Sequence, residues 1–274
     1  MGSAAADADK LFAGSIPEIY DRLLVPLIFE GYARDLAGRV ARLEPRRILE
    51  TAAGTGVLTR ALASRLAADA RIVATDLNRS MLDRAAARQE QDGRITWREA
   101  DALNLPFADA EFDVIACQFG VMFFPDKVRG YREARRVLKP GGHFLLSVWD
   151  RICANEFADV VTTAMEAVFP ENPPAFLART PHGYYDVPTI REELIAGGFG
   201  PITVESLDHT SRARSPREPA VAFCQGTPLR NEIEARDAAR LEAATAAAAA
   251  ALARRFGEGA IEGRIRAHVI TAVR

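Results

Sequence analysis

The feature that most restricts the fold of this chain is the stretch from Arg47 to Arg60, which reads RILETAAGTGVLTR. Two apolar residues lead into Glu50, and a turn of small residues with Gly54 and Gly56 precedes a run with apolar residues at helical spacing. The pattern predicts a strand, a tight turn and a helix. Because glycines at alternate positions allow unusual backbone angles and carry no Cβ, a ligand can lie directly against the main chain at the helix N-terminus.

A second acid follows the next predicted strand. The short apolar run from Ile72 to Ala74 is followed by Thr75 and by Asp76, which lies twenty residues beyond Gly56. An acid at that position is placed to accept hydrogen bonds from the hydroxyl groups of a ribose. Together with the glycine turn, it predicts the nucleoside-binding half of an open parallel sheet.

Composition limits the class of protein. With 274 residues, 49% of them hydrophobic, and a formal net charge of -2, the chain can bury the core of one large, soluble domain. The sequence shows neither a long apolar run nor a signal-peptide pattern, and its near-neutral charge gives no reason to expect nucleic acid or a membrane as a partner. Three widely spaced cysteines fit a reducing, cytoplasmic compartment without disulfides.

Strand and helix patterns alternate at short spacing between residues 45 and 150. After Asp76, Asn78 or Ser80 can cap a helix that continues to Gln89, and the segment from Asp126 to Leu138 reads as the next helix. The further predicted strands are Ile95 to Ala100, Phe112 to Gln118 and, after a turn at Lys139 to Gly142, His143 to Trp149. This order predicts an α/β fold with a doubly wound, mostly parallel sheet.

Helical patterns flank this region on both sides. Before it lie two predicted helices, Ile16 to Leu27 and Phe29 to Leu43, which are interrupted by Pro17 and Pro26. After it, Thr189 with Glu192 forms a capping-box pattern for a helix that ends at Ala196. The remaining predicted elements are the strands Ile202 to Leu207 and Arg264 to Val273, and between them a helical insert, 211 to 260, with an alanine-rich helix from Pro228 to Phe256.

Five short motifs in this order resemble those of the class I S-adenosylmethionine-dependent methyltransferases, and in particular the type 11, quinone-biosynthesis-like group that acts on small molecules. The motifs are E-x-A-x-G-x-G from Glu50, T-D at Thr75, A-D-A-x-x-L-P-F from Ala100, F-D-V from Phe112 and L-K-P-G-G from Leu138. The resemblance covers roughly residues 45 to 150. It implies a seven-stranded Rossmann-like sheet in which strand seven runs antiparallel between strands five and six.

The resemblance also implies a set of contacts with S-adenosyl-L-methionine. Glu50 lies near the ammonium group at the methionine end of the cofactor, Asp76 accepts from the ribose hydroxyls, and Asp101 accepts from the adenine amino group. The full set of expected cofactor-binding residues is Tyr20, Glu50, Ala52, Gly54, Gly56, Asp76, Leu77, Met81, Asp101, Ala102, Leu103, Gln118 and Phe119. Tyr20 enters this set because an N-terminal helix often folds over the cofactor in this family.

The expected reaction is a direct in-line displacement, in which an oxygen, nitrogen or carbon atom of a small acceptor attacks the sulfonium methyl group. Phe119, Met122, Phe123 and Trp149 predict an apolar, aromatic acceptor pocket. No catalytic residue is assigned. His182 and His209 are weak candidates for a base, and the four histidines show no spacing for a metal site.

The organisation predicted for the chain is a single domain with an N-terminal helical lid at 1–44, a cofactor-binding core at 45–150, sheet completion at 151–210 and 261–274, and the insert at 211–260. A homodimer stays open as an oligomeric state. Two other functions also stay open, a cofactor-binding protein without catalysis and a nicotinamide-dependent oxidoreductase. Against the oxidoreductase, Thr59 stands where its fingerprint has a third glycine.

Overall fold

The computed structural model describes residues 14–89 and 91–274, so the first part of the predicted lid, 1–13, lies outside the described residues. The described residues form two compact units. The sheet unit comprises 30–148, 185–207 and 267–274, and the helical unit comprises 14–29, 149–184 and 208–266. Three strands of the sheet contain residues of both units.

The sheet has seven strands in the order β3-β2-β1-β4-β5-β7-β6. Strands β1 to β5 pair in parallel, whereas β7 runs antiparallel to both β5 and β6. The strands are β1 Arg47–Glu50, β2 Arg71–Asp76, β3 Ile95–Glu99, β4 Phe112–Gln118, β5 Leu138–Trp149, β6 Ile202–Ala213 and β7 Ile261–Val273. The predicted fold class and the antiparallel position of strand seven are therefore confirmed.

Three predicted strand bounds are wrong. Strand β5 begins at Leu138, because Leu138 already pairs with Phe112, so the predicted turn at Lys139 to Gly142 lies inside the strand as an irregularity. Strand β6 extends to Ala213, which removes residues 211–213 from the predicted insert, and strand β7 begins at Ile261, directly after the insert. Their added residues belong to long antiparallel pairing, which a local pattern does not reveal.

The helices α1 to α6 are Ile16–Ile19, Glu30–Ala41, Val57–Ala63, Arg79–Arg88, Lys127–Val137 and Glu156–Val168, and the π-helix Tyr20–Phe29 joins the first two. The helices α7 to α11 are Phe176–Arg179, Val187–Ala196, Arg217–Gln225, Leu229–Asp237 and Leu241–Phe256. Short 3₁₀ helices occupy Val121–Phe123, Ile152–Ala154 and Ala238–Arg240. Within the described residues no helix is long and apolar enough to cross a membrane.

Three predicted helix details are also wrong. Helix α8 begins at Val187, because Asp186 is its N-cap and accepts a hydrogen bond from the Thr189 N–H. The predicted alanine-rich helix is two helices, α10 and α11, separated by a 3₁₀ turn in which Asp237 accepts from the Ala239 N–H. Pro26 does not interrupt the N-terminal helix, because the wider π-helix continues through it.

Both faces of the sheet unit are covered by buried side chains, as a doubly wound sheet requires. On one face, α2 and α3 pack on the strands through Leu36, Val40, Leu58, Leu62, Ile48, Ile72, Val114, Leu145 and Val269. On the other face, Tyr131 of α5 packs against Phe144 of β5, whose ring also contacts Phe199. The alternation of Phe144 and Leu145 between the two faces follows from the period of two along a strand.

In the helical unit, the N-terminal helix packs against the insert. The Ser211 hydroxyl donates a 2.7 Å hydrogen bond to the Leu27 carbonyl, and Arg230 Nη1 lies 2.6 Å from Ser15 Oγ. Gly226 lies so close to the N-terminal helix that a Cβ at this position would be 2.9 Å from Ile19 Cγ2. Residues 14–29 of the predicted lid therefore belong to the same packed unit as the insert, whereas residues 30–44 belong to the sheet unit.

Candidate functional site

The predicted polar residues lie at the carboxyl edge of the sheet unit. Strand β1 ends at Glu50, the neighbouring β2 at Asp76 and β4, on the other side of β1, at Gln118. The chain leaves β1 for β2 on one side, whereas β4 pairs with β1 on the opposite side. This is the switch point of an open sheet, where ligands of such folds bind.

Three residues of the turn after β1 have a positive φ, a backbone conformation that residues with a side chain rarely adopt. Ala52 has a φ of 54°, followed by Gly54 at 56° and Gly56 at 78°. The Ala53 N–H donates to the Thr75 carbonyl, and the Gly54 N–H donates to Asp76 Oδ2 at 2.8 Å. The turn is thus fixed to the end of β2 by two backbone donors.

The two glycines of the turn have different surroundings. A Cβ on Gly56 would lie 2.9 Å from Trp97 Cη2 and 3.1 Å from Ala85 Cβ, so the protein itself requires a glycine there. A Cβ on Gly54 would meet nothing closer than Met81 Cε at 3.8 Å. The interpretation of both glycines as places of close approach to a ligand therefore fits Gly54, whereas Gly56 is explained by packing and its left-handed backbone.

Glu50 is almost completely buried, with 1% of its surface exposed. The Thr59 hydroxyl donates a 2.6 Å hydrogen bond to Glu50 Oε2. Burial raises the pKa of Glu50 to about 8, against the lowering effects of the Thr59 hydroxyl and of Arg60. With this pKa, the carboxyl group is mostly protonated at physiological pH. A cation beside it would stabilise the ionised form, which suits the predicted contact with the ammonium group of the cofactor.

Asp76 is buried as well, with 7% of its surface exposed. Its Oδ2 accepts from the Gly54 N–H and its Oδ1 from the Asn78 N–H, both at 2.8 Å. Burial raises the pKa of Asp76 above its ordinary value, although these bonds act in the opposite direction. The Asn78 side-chain amide also contacts Oδ1, at 3.4 Å. An ionised carboxylate has about four acceptor positions, so a ribose hydroxyl would use a position left on Oδ2 or displace this longer contact.

The residues predicted to surround the adenine follow β2 and β3. Leu77 is 51% exposed, an unusual state for a large apolar side chain, and Met81 is buried against the glycine turn. Asp101 is exposed, and its Oδ1 accepts from the Leu103 N–H at 2.9 Å, which fixes the turn that carries Ala102. The Ala100 N–H donates to the Asp76 carbonyl, so this turn begins beside Asp76.

At the end of β4, Gln118 and Phe119 lie beside the turn after β1. Phe119 has a φ of 54°, and its buried ring meets Tyr32 edge-on at 5.4 Å. A Cβ on Gly120 would lie 2.4 Å from Ala52 Cβ, so only glycine lets the two loops touch. Two non-glycine residues with left-handed backbone thus follow neighbouring strands, a strain typical of functional sites.

Three predicted residues belong to the helical unit. The Tyr20 ring lies 5.2 Å from the Phe29 ring, and its cofactor contact stays a prediction. His182 is buried, its Nδ1 donates to the Asp150 carbonyl at 2.9 Å, and burial lowers its pKa to about 4. His209 lies within strand β6, so its expected place in or beside a loop is wrong.

Several residues that fix this edge were not predicted as site residues from the sequence. Thr59, Thr75 and Gly120 each fix a neighbour, since the Thr75 hydroxyl donates to the Glu50 carbonyl at 2.9 Å. The signal for Thr59 was present, because a residue in the first turn of a helix after such a glycine turn points back to the preceding strand. Gly120 was detectable only as a glycine directly after a strand.

The arrangement fits S-adenosylmethionine. Two buried acids are available for the ammonium and ribose contacts that the resemblance implies, an exposed apolar side chain and a fixed Asp101 turn are available for adenine, and the Gly54 backbone leaves room for close approach. Among the described residues, no cluster of histidine, cysteine and acidic side chains could hold a metal ion.

Comparisons with known proteins agree with this chemistry. A family model described as a methyltransferase domain matches residues 48–142. The chain is 34% identical over 166 residues to a demethylmenaquinone methyltransferase of Deinococcus radiodurans. The aligned region covers 59% of this chain and 68% of that protein. It is also 34% identical over 126 residues to the ubiquinone/menaquinone biosynthesis C-methyltransferase UbiE of Idiomarina loihiensis. That alignment covers 45% of this chain and 47% of that protein.

A solved structure from Bacillus halodurans, described as a candidate methyltransferase, has a TM-score of 0.57 and covers 88% of this chain and 97% of that chain. Its sequence identity is 18%, so this likeness supports the fold alone.

Proposed function

The chain belongs to the class I S-adenosylmethionine-dependent methyltransferases, and from this premise we propose that it methylates a ring carbon of a quinol or a related planar aromatic molecule. The observation that carries the proposal is the similarity to two proteins whose names specify quinone compounds, one of them as a C-methyltransferase. The apolar residues after β4, Phe119, Met122 and Phe123, support it, because they favour a hydrophobic, planar acceptor.

The cofactor supplies an electrophilic methyl group on a sulfonium. On the chain's side, Asp76 would hold the ribose, the Asp101 turn the adenine edge and Glu50 the ammonium group. These contacts orient the cofactor without taking part in bond breaking. Because sulfonium is an excellent leaving group, orientation and exclusion of water can supply roughly 7 to 11 kcal/mol of the barrier reduction.

A ring carbon becomes nucleophilic when a hydroxyl group on the same ring loses its proton. His182 stays a weak candidate for accepting that proton. Its Nδ1 donates to the Asp150 carbonyl, which leaves Nε2 as the acceptor nitrogen, and its low pKa keeps the ring neutral at physiological pH. The His182→Gln variant tests this role through the dependence of kcat on pH.

The decisive experiment is a methyl-transfer assay with reduced naphthoquinols and benzoquinols, analysed by mass spectrometry. We expect a gain of one methyl group on a quinol with an unsubstituted ring position next to a hydroxyl. The matched control is the same quinol with that position already methylated. Transfer to the control shows oxygen methylation and contradicts the proposal, and transfer only to simple amines or phenols contradicts the quinol class.

The prediction that 1–44 and 211–260 cover the cofactor is tested by hydrogen exchange with and without S-adenosylhomocysteine. We expect added protection of the backbone near Tyr20 and in the insert. If protection rises only around Glu50 to Gly56, Asp76 and Asp101, the lid is absent and Tyr20 is not a site residue.

A further inference from the structure

Two buried threonines contact Glu50 at different atoms. Thr59 is fully buried, and its hydroxyl donates to the side-chain oxygen Oε2 at 2.6 Å. Thr75 is equally buried, and its hydroxyl donates to the backbone carbonyl of Glu50 at 2.9 Å. The first bond acts on the carboxyl group and the second only on the strand, so the two threonines form a natural pair for comparison.

Thr59 occupies a position where its hydroxyl is needed for this contact. Helix α3 begins at Val57, and Thr59 lies in its first turn, directed back at the end of β1. The backbone N–H of Thr59 also donates to Glu50, and any residue at this position would keep that donor. A glycine here, as in a nicotinamide-binding fingerprint, or a valine of similar volume would lack the hydroxyl donor.

The charged and titratable groups that face Glu50 come from three elements. Arg60 of α3 favours the ionised carboxylate, whereas Asp76 of β2 opposes it. The third is Cys117 of β4, and burial raises the pKa of its thiol to about 11, so it stays neutral. Since burial outweighs these favourable partners, we expect Glu50 to carry a proton at neutral pH while no ligand cation lies beside it.

We propose that Thr59 is a positioning residue whose hydroxyl orients the Glu50 carboxylate and supports its ionised form, so that cofactor binding releases a proton from Glu50. In this step the O–H bond of the carboxyl group breaks, its electron pair stays on the carboxylate and the proton passes to the buffer. The ammonium group of the cofactor keeps its protons. Thr59 donates its hydroxyl hydrogen throughout.

Proton release is measured directly by calorimetry. S-adenosylhomocysteine is titrated into the protein at pH 6.5 and at pH 7.5 in two buffers with different ionisation enthalpies, with no acceptor present. We expect the wild-type protein to release a proton and Glu50→Gln to release none. At pH 6.5 the ammonium group of the ligand is mostly protonated and so contributes little, and at pH 7.5 its contribution is subtracted with the Glu50→Gln variant. Absence of release from the wild-type protein overturns the proposal.

The role of Thr59 is measured by the titration of Glu50 in the cofactor-free protein, followed by carbon NMR and assigned with Glu50→Gln. A hydrogen bond to a charged group predicts that Thr59→Val raises the midpoint by about one pH unit or more and weakens S-adenosylhomocysteine binding about tenfold. Thr59→Ser should restore both values, and the matched control Thr75→Val should leave the midpoint unchanged.

Equal midpoints for Thr59→Val and the wild-type protein contradict the proposal, as does an equal shift in Thr75→Val, which would point to a general loosening of the strand. If Thr59→Val folds poorly, Thr59→Ala, which also lacks the hydroxyl, carries the same test. The experiments use no acceptor, so the outcome of the quinol assay does not affect them.

Discussion

At the amino end of β4, the carboxylate of Asp113 accepts a hydrogen bond from Lys139 Nζ at 2.6 Å and two more from the backbone N–H groups of Arg46 and Arg47. Burial acts to raise the pKa of Asp113, but these donors outweigh it and hold the pKa below its ordinary value. At the carboxyl end of β1, the Glu50 carboxylate accepts from one hydroxyl, that of Thr59, and burial raises its pKa. Both acids lie at strand ends of the same sheet unit.

The difference is the one expected between an acid that stabilises the fold and an acid that binds a ligand. Asp113 is neutralised within the protein, so its removal should cost stability and nothing else. Glu50 and Asp76 are buried acids whose ionised forms the protein stabilises incompletely. Strongly raised pKa values of buried acids in a crevice are typical of functional sites.

The largest expected effect comes from Asp76→Ala. Loss of two charge-assisted bonds to a ribose predicts a fall in cofactor binding of roughly 3 to 6 kcal/mol. Because Asp76 also accepts from the Gly54 and Asn78 N–H groups, the fold should lose stability as well, and Asp76→Asn serves as the milder variant. Calorimetry with S-adenosylhomocysteine measures the affinity, and an unchanged value would remove Asp76 from the site.

Glu50→Gln should stabilise the cofactor-free protein in a pH-dependent way. The folded wild-type protein keeps a proton on Glu50 up to a pKa of about 8, whereas the unfolded chain loses it near 4.5. Stability is therefore complete below pH 4.5 and falls as the pH rises to 8. The variant lacks this loss and should be more stable by up to about 4 kcal/mol at pH 8.5, with little difference at pH 4.5.

Urea unfolding at both values of pH measures the effect, with the exposed acid variant Glu192→Gln as control. A wild-type protein that loses no stability relative to Glu50→Gln between these values would show that Glu50 is not a buried, protonated acid. The comparison with Asp113 would then no longer hold.

The two glycines sharpen the same comparison within the site. Gly56→Ala should cost about 1 to 3 kcal/mol more stability than Gly54→Ala, because both residues have left-handed backbone but only the Cβ at 56 meets Trp97. Gly54→Ala should instead show the larger loss of cofactor affinity relative to its loss of stability. Thermal unfolding and calorimetry on both variants decide it, and equal stability would contradict the packing argument.

The smallest effect is expected for Asp113→Ala. Removing an acceptor from Lys139 and two backbone donors should lower the free energy of unfolding by about 1 to 2 kcal/mol. Cofactor affinity should not change, because the substitution lies at the opposite edge. A parallel loss of affinity would show that the two edges do not act independently.

The sequence predicted those parts of the site that depend on local order. Glu50, Asp76 and Gln118 end strands because apolar runs stop there, and the sheet edge follows from parallel pairing. Whether the predicted residues contact the cofactor stays a prediction.

What the sequence could not predict depends on residues distant in the chain. The need for glycine at 56 comes from Trp97, and the need for glycine at 120 comes from Ala52. The strand bounds at Ala213 and Ile261 depend on antiparallel pairing. The N-cap of α8 is Asp186 and not Thr189, which the local capping pattern had predicted. Long-range packing left no periodic signal at these positions.

The assembly of the helical unit from three separate pieces of chain has a consequence for folding. The bond between Ser211 and Leu27 joins residues 184 positions apart, whereas the glycine turn, Asp76 and Gln118 lie within a short span of chain. Closing such long loops is slow, and domains form as their last contributing residues become available during synthesis. We therefore expect the pairing of β1, β2 and β4 beside the crevice to form early on the ribosome, before Ser211 becomes available to the N-terminal helix and before residues 267–274 complete the sheet unit.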